Sequence, residues 1–317
     1  ALLLPAAPAA GADPLPLTSK PLALFPVAPA QTRLDRLDYR GGLVLTSSDA
    51  RFGGLSALWV DDRGEAFTAL SDRGYRIDGR FVTGADGHLA GVADAHIADL
   101  TDLAGAPLTG RRMRDAESIA PDGAGGFYVA FEQRHRLWRY GPGGGPARSV
   151  SPPPQLALAH RNGGIESLAR LHDGRLLALS EDLGTQGGVI GWVGQPRDAT
   201  GDTFDWQPLT YATAHGYAPT AAAVLPDGDL VVVERRYTLL AGPSAHIRRI
   251  AATDIRPGAR LEGRLLADLA APASVDNMEA LAIRPGPGGE ALLYLASDDN
   301  YALLQRTLVM VFALSAP

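Results

Sequence analysis

Gly164-Ile-Glu-Ser-Leu-Ala169 is the clearest copy of a short pattern that occurs five times in this 317-residue chain. The other four copies are Gly53-Gly-Leu-Ser-Ala-Leu58, Asp115-Ala-Glu-Ser-Ile-Ala120, Ala218-Pro-Thr-Ala-Ala-Ala223 and Asn277-Met-Glu-Ala-Leu-Ala282. Each copy is followed by a turn rich in aspartate or glycine, and then by an apolar run that ends in an acid. Because turn residues between two apolar runs are typical of a β-hairpin, we expect five equivalent hairpins.

The second run of each hairpin indicates how the hairpins are packed. Runs such as Leu176-Leu-Ala-Leu179 and Leu230-Val-Val-Val233 are apolar without alternation, as in a strand that is buried on both faces. The inner strands of a β-propeller lie between neighbouring blades and are buried in this way. Equivalent positions in successive copies are 49–61 residues apart, which leaves room for four strands and their loops.

We therefore predict an all-β fold, with a single β-propeller of five four-stranded blades over residues 40–317. Six blades are the alternative, although no sixth copy of the pattern is visible. After the third strand of the last blade, at Thr307–Leu314, no fourth strand follows. We expect Gly41–Thr46 to supply it, so that N- and C-terminal strands pair and close the ring.

The N-terminal segment bears on the compartment. Residues 1–12 are apolar, too short to span a bilayer, and end in small residues, as at the end of a signal peptide. We therefore expect an exported protein, either periplasmic or secreted; the alternative is an Ala/Pro-rich arm without targeting function. Residues 13–39 are rich in proline and show little periodicity, which predicts an extended arm or linker. No other apolar run is long enough to span a membrane.

The composition excludes several classes of function. The chain has no cysteine, which excludes disulfides, thiolate catalysis and cysteine-based zinc sites. The formal net charge is −6 and no basic run is present, so we expect no nucleic-acid partner. The seven histidines lack H-x-x-x-H and H-E-x-x-H spacing, which argues against a histidine zinc site.

Acidic residues recur at one end of the predicted blades. In each hairpin the third or fourth residue of the pattern (the anchor) opens the first strand, and the acid closes the second, so both lie at the same end. With the first strand innermost, five anchors surround one mouth of the channel: Ser56, Glu117, Glu166, Thr220 and Glu279. Just behind them lie five outer acids: Asp72, Glu132, Glu181, Glu234 and Asp298.

These carboxylates need a counter-charge. Two of them about 4 Å apart repel by about 4 kcal/mol at an effective dielectric near 20, so a cation, an arginine or a shared proton must offset the repulsion. A hard divalent cation suits an all-oxygen donor set, and Ca²⁺ tolerates irregular coordination. We predict a Ca²⁺ site, with the identity of the cation left open, whose ligands are Glu117, Glu166, Glu279 and Asp298. For the outer acids, the alternative is ion pairing with nearby arginines: Arg73, Arg134, Arg235 and Arg236.

Six motifs carry a resemblance to a known family: Gly53-Gly-Leu-Ser-Ala57, Ser71-Asp-Arg-Gly74, Asp115-Ala-Glu-Ser-Ile119, Gly164-Ile-Glu-Ser-Leu168, Ser180-Glu-Asp182 and Asn277-Met-Glu-Ala-Leu281. Together they resemble the bacterial phytase-like family, whose label is "esterase-like activity of phytase", over roughly residues 40–315. The resemblance implies an exported β-propeller that hydrolyses esters or phosphoesters. The Asp-Asp-Pro-Ala type of motif expected of true β-propeller phytases is absent from the sequence, which argues against phytate as substrate.

Three functional hypotheses follow. The first is an exported, monomeric, metal-dependent hydrolase of esters or phosphoesters that acts on a small anionic or ester substrate. Glu166 or Glu181 would be the catalytic base, and Arg73, Arg235 and Arg236 would bind the substrate. The second is a non-enzymatic exported propeller that binds a ligand or partner at the same mouth. The third is a lactonase-type hydrolase, because the chain more weakly resembles gluconolactonases and paraoxonases, which also place Glu, Asn and Asp around Ca²⁺ in a propeller.

Overall fold

The computed structural model describes residues 11–315 of the chain. Four strands precede the first repeat: β1 (Asp13–Pro14), β2 (Leu17–Pro21), β3 (Arg33–Leu34) and β4 (Leu37–Ser47). The first blade then contains β5 (Leu55–Val60), β6 (Ala66–Ser71), β7 (Tyr75–Thr83) and β8 (Leu89–Asp99). A short helix leads into the second blade, giving α1 (Arg111–Arg114), β9 (Ala116–Pro121), β10 (Phe127–Phe131), β11 (Arg136–Gly141) and β12 (Gly144–Val150).

The remaining three blades follow the same plan. After a 3₁₀ helix at Pro154–Leu158, the third blade contains β13 (Ile165–Arg170), β14 (Leu176–Thr185), β15 (Gly188–Pro196) and β16 (Phe204–Tyr211). The fourth contains β17 (Ala218–Val224), β18 (Leu230–Thr238), β19 (Gly242–Ile250), a 3₁₀ helix (Ala252–Asp254), β20 (Arg260–Leu261) and β21 (Arg264–Ala270). The fifth contains β22 (Asn277–Pro285), β23 (Ala291–Asp298) and β24 (Thr307–Leu314).

These strands form five sheets arranged in a ring, which confirms the predicted five-bladed β-propeller. The innermost strands β5, β9, β13, β17 and β22 contact one another in a closed circuit around the channel. Three short strands extend the blades at their outer edges: β1 pairs with β8, β2 pairs with β4, and β20 pairs in parallel with β16. Each blade otherwise keeps the antiparallel order that its hairpins dictate.

The ring is closed between the two ends of the chain. Strand β4 pairs antiparallel with β24, with Leu45 opposite Thr307 and Leu37 opposite Leu314, so the predicted donation of a fourth strand is confirmed. The predicted arm over residues 13–39 needs a correction. Its boundary falls inside β4, β1 and β2 pair with blades, and Leu24 and Phe25 are buried in the core.

Two features of the sequence explain the blades. The second strands begin with mostly apolar runs because both faces are covered there: all five residues of β10 and all eight of β23 are buried. The Asp-Gly turns close the hairpins with side-chain hydrogen bonds. Asp122 Oδ1 accepts from the backbone N–H groups of Ala124 and Gly126 at 2.7 and 2.8 Å, and Gly123 supplies the positive φ of 80°.

Two further expectations concern membranes and export. No helix within residues 11–315 is long and apolar enough to cross a membrane. Residues 1–10 of the expected signal-peptide segment lie outside the described residues, so export stays a prediction.

Candidate functional site

Each innermost strand contains a β-bulge at the same place, and the anchor is the residue that the pairing skips. In the third blade, Ile165 pairs with Ser180 and Ser167 pairs with Leu179, which leaves Glu166 without a partner across the strand. The same shift occurs at the four other anchors: Ser56, Glu117, Thr220 and Glu279. A bulge re-aims the side chain of its extra residue, so one repeated irregularity positions all five anchors.

The two hydroxyl anchors link neighbouring blades. Ser56 Oγ donates to the carbonyl oxygen of Ala116 at 2.5 Å, and Thr220 Oγ1 donates to that of Met278 at 2.9 Å. Both hydroxyls therefore use their hydrogen atom to hold adjacent innermost strands together. The three glutamate anchors have no hydrogen to donate when ionised, so they contribute only hydrogen-bond acceptors to the mouth.

Glu132 joins two groups of carboxylates at this mouth. One group is Asp115, Glu117 and Glu132, the other is Glu132, Glu166 and Glu181, and within each group one oxygen per residue lies within 4.8 Å of the others. We call these five residues the Glu132 cluster. Glu117, Glu132 and Glu166 are at least nine-tenths buried, and the backbone N–H of Gly164 donates to Glu132 Oε1 at 2.8 Å.

The electrostatics of the cluster favour protons or a cation. Burial and then the repulsion of nearby carboxylates raise the pKa of Glu117 and of Glu166 well above the usual range. Burial, with Asp115 and Glu181 nearby, raises the pKa of Glu132 to about 7. Burial also raises the pKa of Glu181, against the lowering effect of Arg235. Ionised together without a counter-charge, these groups would destabilise the folded state.

A second part of the mouth is organised by Arg235, which comes from blade four and reaches into its two neighbours. Its Nη2 lies 3.1 Å from Glu181 Oε1 and its Nε lies 3.3 Å from Glu279 Oε1. Asn277 accepts from Arg235 Nη1 at 3.1 Å and donates through Nδ2 to Glu279 at 2.7 Å. Burial lowers the pKa of Arg235, but the surrounding carboxylates raise it by more, so the guanidinium stays charged.

Asp298 and Asp72 lie on the same side of the mouth. Asp298 is buried and accepts from the backbone N–H of Asn300 at 2.6 Å. Burial and the nearby Glu279 raise the pKa of Asp298 to about 8. Burial and the repulsion of Asp298 and Asp115 raise the pKa of Asp72 to about 7.

The structure therefore divides the four residues suggested as metal ligands. Glu117 and Glu166 belong to the Glu132 cluster, whereas Glu279 is paired with Arg235 and Asp298 accepts from backbone. Sequence reasoning left Glu132 and Asp115 out of the ligand set, although both recur at repeat positions that could have identified them. Glu132 occupies the position of an outer acid, and Asp115 opens its copy of the pattern.

The arginines suggested for substrate binding are also separated. Of the three, only Arg235 forms ion pairs with carboxylates among residues 11–315. The Arg73 guanidinium lies over the ring of Tyr301, 3.2 Å from its centroid, and that of Arg236 lies 4.5 Å from the ring centroid of Tyr217. Both are held by aromatic rings rather than by the acids that precede them.

The remaining outer acid, Glu234, is paired with an arginine of its own blade. It is fully buried, and its Oε1 accepts from Arg248 Nη1 at 3.0 Å and from the backbone N–H of Ala214 at 3.2 Å. The ion-pair alternative thus describes Glu234, although its partner is Arg248 and not an arginine that follows it. Within residues 11–315, the acids of the mouth that form no ion pair are Asp72, Asp298 and the members of the Glu132 cluster other than Glu181.

The donor set of the cluster fits a hard divalent cation. All side-chain donors are carboxylate oxygens, and in the described part of the chain no arginine or lysine forms an ion pair with Asp115, Glu117, Glu132 or Glu166. Their raised pKa values show the cost of placing these groups together without a positive charge. Oxygen-only donors in irregular geometry are those that Ca²⁺ accepts.

Comparison with solved structures gives several matches of low identity, one of which is described as a β-propeller domain. The allergen Mala s 1 of Malassezia sympodialis is 15% identical, covering 90% of this chain and 91% of that chain with a TM-score of 0.44. The PQQ-bound aldose sugar dehydrogenase of Streptomyces coelicolor is 12% identical, with 95% and 100% covered and a TM-score of 0.43. The Cps50 (Swd1) β-propeller domain of Myceliophteria thermophila is 11% identical, with 94% and 100% covered and a TM-score of 0.42.

Sequence comparison gives the family. No curated protein matches the chain. A family model described as "Phytase-like: Esterase-like activity of phytase" matches residues 50–301, which include all five copies of the pattern and the whole Glu132 cluster. The chain therefore belongs to this phytase-like family.

Proposed function

We propose that this protein is an exported, metal-dependent hydrolase of esters or phosphoesters whose active site is the acidic mouth of the propeller. The observation that carries the proposal is the Glu132 cluster, in which buried carboxylates gather from blades two and three without an adequate counter-charge. Such an arrangement is unfavourable for folding alone and is typical of a site that binds a cation. The description of the family, esterase-like activity, supports hydrolysis as the reaction.

Asp115, Glu117, Glu132 and Glu166 would hold the cation, which we propose to be Ca²⁺. When bound, it would polarise the carbonyl or phosphoryl oxygen of the scissile group. Gly164 keeps Glu132 in place through its backbone N–H. The bulges keep Glu117 and Glu166 turned into the mouth, so little reorganisation is needed on binding.

Glu181 is the residue best suited to act as general base. Its side chain is 21% exposed, whereas Glu166 is almost fully buried, so Glu181 can reach a water molecule and a substrate. Arg235 orients Glu181 through the 3.1 Å ion pair and lowers its pKa, against the larger raising effect of burial. The proton that Glu181 removes from water would remain within this pair until it is passed to solvent.

Arg235 is also positioned to bind an anionic part of the substrate. Its side chain is 31% exposed, and its guanidinium carries several N–H donors in a fixed fork that suits carboxylate or phosphate oxygens. An incoming anion would exchange for Glu181 or Glu279 as its partner. Arg73 and Arg236 lie over aromatic rings and would bind substrate only after leaving those rings.

The test combines calcium-dependent stability with hydrolysis. Glu132→Gln removes one charge and keeps the shape, and Glu65→Gln makes the same change at an exposed turn at the other end of blade one. Calcium should raise the melting temperature of the wild type and of Glu65→Gln, because a ligand that binds only the native state stabilises it, but not that of Glu132→Gln. Wild type and Glu65→Gln should hydrolyse members of a panel of aryl esters, phosphoesters and lactones, and Glu132→Gln should not.

Three outcomes would count against the proposal as stated. Equal turnover by wild type and Glu132→Gln would mean that the site has been misplaced. No turnover by any metal-loaded form would favour the second candidate, a non-enzymatic binding propeller. That candidate is supported by Arg235, which already neutralises Glu181 and Glu279 without a ligand. Turnover of lactones alone would favour the lactonase-type reaction at the same site.

A further inference from the structure

Two neighbouring blades carry a similar apolar sequence at the tip of one hairpin. Tyr237-Thr-Leu-Leu240 runs from the end of β18 into its connection with β19, and the connection from β23 to β24 contains Tyr301-Ala-Leu-Leu304. The exposed fractions are 92% for Leu239, 103% for Leu240, 105% for Leu303 and 95% for Leu304. Within residues 11–315, these four leucines are the large hydrophobic side chains that are more than nine-tenths exposed.

Both tips lie at the acidic end of the propeller. In every blade the second strand runs toward the mouth, as the pairing of Glu234 with Pro219 and of Asp298 with Asn277 shows. The two leucine pairs follow these acids after four intervening residues, in the connections at this end, so they project from the rim that surrounds the Glu132 cluster and Arg235. The apolar tips are therefore next to the proposed site and not on a remote surface.

The fold does not require apolar residues at this position. The equivalent connections of the other three blades are polar: Asp72-Arg-Gly74, Glu132-Gln-Arg-His135 and Gln186-Gly187. The leucine tips are thus a property of blades four and five alone. Because leucine side chains in water contribute nothing to the stability of the monomer, their repetition points to a partner that covers them.

The residues beside the leucines indicate what kind of partner this is. Tyr237 is 66% exposed and follows Arg236, while the exposed Arg73 lies over the ring of Tyr301 in the other tip. Each tip thus combines a guanidinium, a tyrosine and two protruding leucines. Leucines that enter the acyl region, tyrosines at the boundary and arginines at phosphate groups are the combination that peripheral proteins use at a phospholipid surface.

We propose that these two tips dock the acidic mouth onto an anionic phospholipid surface. Leu239, Leu240, Leu303 and Leu304 would enter the acyl boundary. Arg73 and Arg236 would leave the rings of Tyr301 and Tyr217 to contact the headgroup phosphates. This docking stands on the exposed residues alone. Its corollary rests on the proposed function: the ester or phosphoester substrate would be a lipid or an amphiphile taken from that surface.

The test measures co-sedimentation with vesicles in the presence of a chelator, so that calcium bridges play no part. Vesicles of phosphatidylcholine with a minor share of phosphatidylglycerol should bind the wild type. A variant with glutamine at all four leucines (Leu239→Gln, Leu240→Gln, Leu303→Gln, Leu304→Gln) should bind at least about tenfold more weakly. The control Val82→Gln with Leu265→Gln changes partly exposed apolar residues at the opposite end and should bind like the wild type.

A second arm tests the headgroup contact. Arg73→Gln with Arg236→Gln should weaken binding to the vesicles that contain phosphatidylglycerol and have little effect on pure phosphatidylcholine vesicles. Equal binding of wild type and this variant to both vesicle types would overturn the assignment of the arginines. Unchanged melting temperatures of the variants would show that they remain folded, as expected for the exposed leucines and Arg73.

Three results would overturn the docking itself: no vesicle binding by the wild type, equal binding by the fourfold leucine variant, or leucine-dependent self-association without vesicle binding. The last result would identify a second copy of the chain as the partner. Glu132→Gln separates this inference from the proposed function, because it should lose hydrolysis and keep vesicle binding. Binding without hydrolysis would refute the function alone, and hydrolysis of soluble esters without binding would refute the docking alone.

Discussion

The two ends of the propeller channel are built by the same five strands and differ in chemistry. At the end where the innermost strands begin, Glu117, Glu166 and Glu279 lie on bulges among further acids. Toward the end where these strands finish, apolar residues such as Leu168 and Leu281 line the channel, which opens into a cavity of about 500 Å³ with Asp62, Arg170 and His172 in its lining. One strand thus passes from a carboxylate to a leucine within two residues.

The two halves of the channel contribute differently: the apolar half stabilises the fold, and the acidic half holds the candidate site. In the apolar half, buried apolar contacts join neighbouring blades and place no charged group in a low-dielectric environment. The acidic half concentrates groups whose pKa values are raised by burial, so its arrangement costs stability unless protons or a cation are bound. A site maintained against that cost is best explained by function.

The largest effect is expected in the apolar half. Leu168 is 1% exposed and packs in the core between blades two and three. Leu168→Ala should lower the free energy of unfolding by about 2–5 kcal/mol, because it removes buried methyl groups and leaves a cavity. Chemical denaturation of the metal-free protein measures this loss. A loss below about 1 kcal/mol would mean that this half of the channel does not support the ring.

The next effect is a dependence of stability on pH that arises in the acidic half. Glu132, Glu279 and Asp72 have pKa values raised to about 7 and Asp298 to about 8, above the values of about 4 in an unfolded chain. The folded state therefore binds more protons than the unfolded state in this range. Stability of the metal-free protein should be greatest near pH 5 and fall by at least about 3 kcal/mol as pH rises to about 8, because one group whose pKa is raised from about 4 to about 7 already contributes about that much.

Thermal and denaturant unfolding across this pH range in a chelating buffer provide the measurement. Glu132→Gln removes one of the raised groups and should make the curve shallower, whereas Glu65→Gln at the opposite end should leave it unchanged. Added calcium should flatten the wild-type curve, since bound cation replaces bound protons. A rise in stability with pH would mean that the acids are not packed as described.

Removing Arg235 should have a smaller effect on stability than either Leu168→Ala or the rise in pH. Arg235→Gln leaves Glu181 and Glu279 without their ion-pair partner and should cost about 2 kcal/mol near neutral pH, reduced from the value for a buried pair because the arginine is 31% exposed. Arg170→Gln is the matched control in the lining of the other end. It should change stability by no more than about 0.5 kcal/mol, as is usual for substitutions away from buried networks.

Much of the fold could be predicted because it repeats. Five copies of one pattern gave the blade number, and the missing strand after Thr307–Leu314 gave the closure with β4. The strands β1 and β2 were missed because they are short, contain or adjoin prolines, and lack the alternation that marks a strand. Their extended form comes from pairing with blades, which is a tertiary effect.

The site was less predictable, because its geometry depends on residues from different blades. A bulge has no residue-type signature, so the sequence placed Glu166 at the mouth by its repeat position but did not show the bulge that turns it there. The role of Arg235 depends on Glu181 and Glu279 in the two adjacent blades. Glu234 looked equivalent to Glu132, but Arg248 on the third strand of its own blade occupies it.

The smallest effect distinguishes the hydroxyl anchors from the glutamate anchors at the acidic end. Thr220→Val keeps the shape and removes the hydrogen bond to the carbonyl oxygen of Met278, which should cost about 1 kcal/mol. Thr18→Val is the control, because Thr18 makes a similar 3.1 Å bond to the carbonyl oxygen of Thr46 at an exposed edge, and it should cost less than about 0.5 kcal/mol.

The informative readout is the response of Thr220→Val to calcium. If the hydroxyl anchors only join blades, calcium should raise the melting temperature of this variant by the same amount as that of the wild type. A loss of the calcium response in Thr220→Val would place the hydroxyl within the cation site and extend that site to blade four. An unchanged response, together with its loss in Glu132→Gln, would confine the site to the carboxylates of blades two and three.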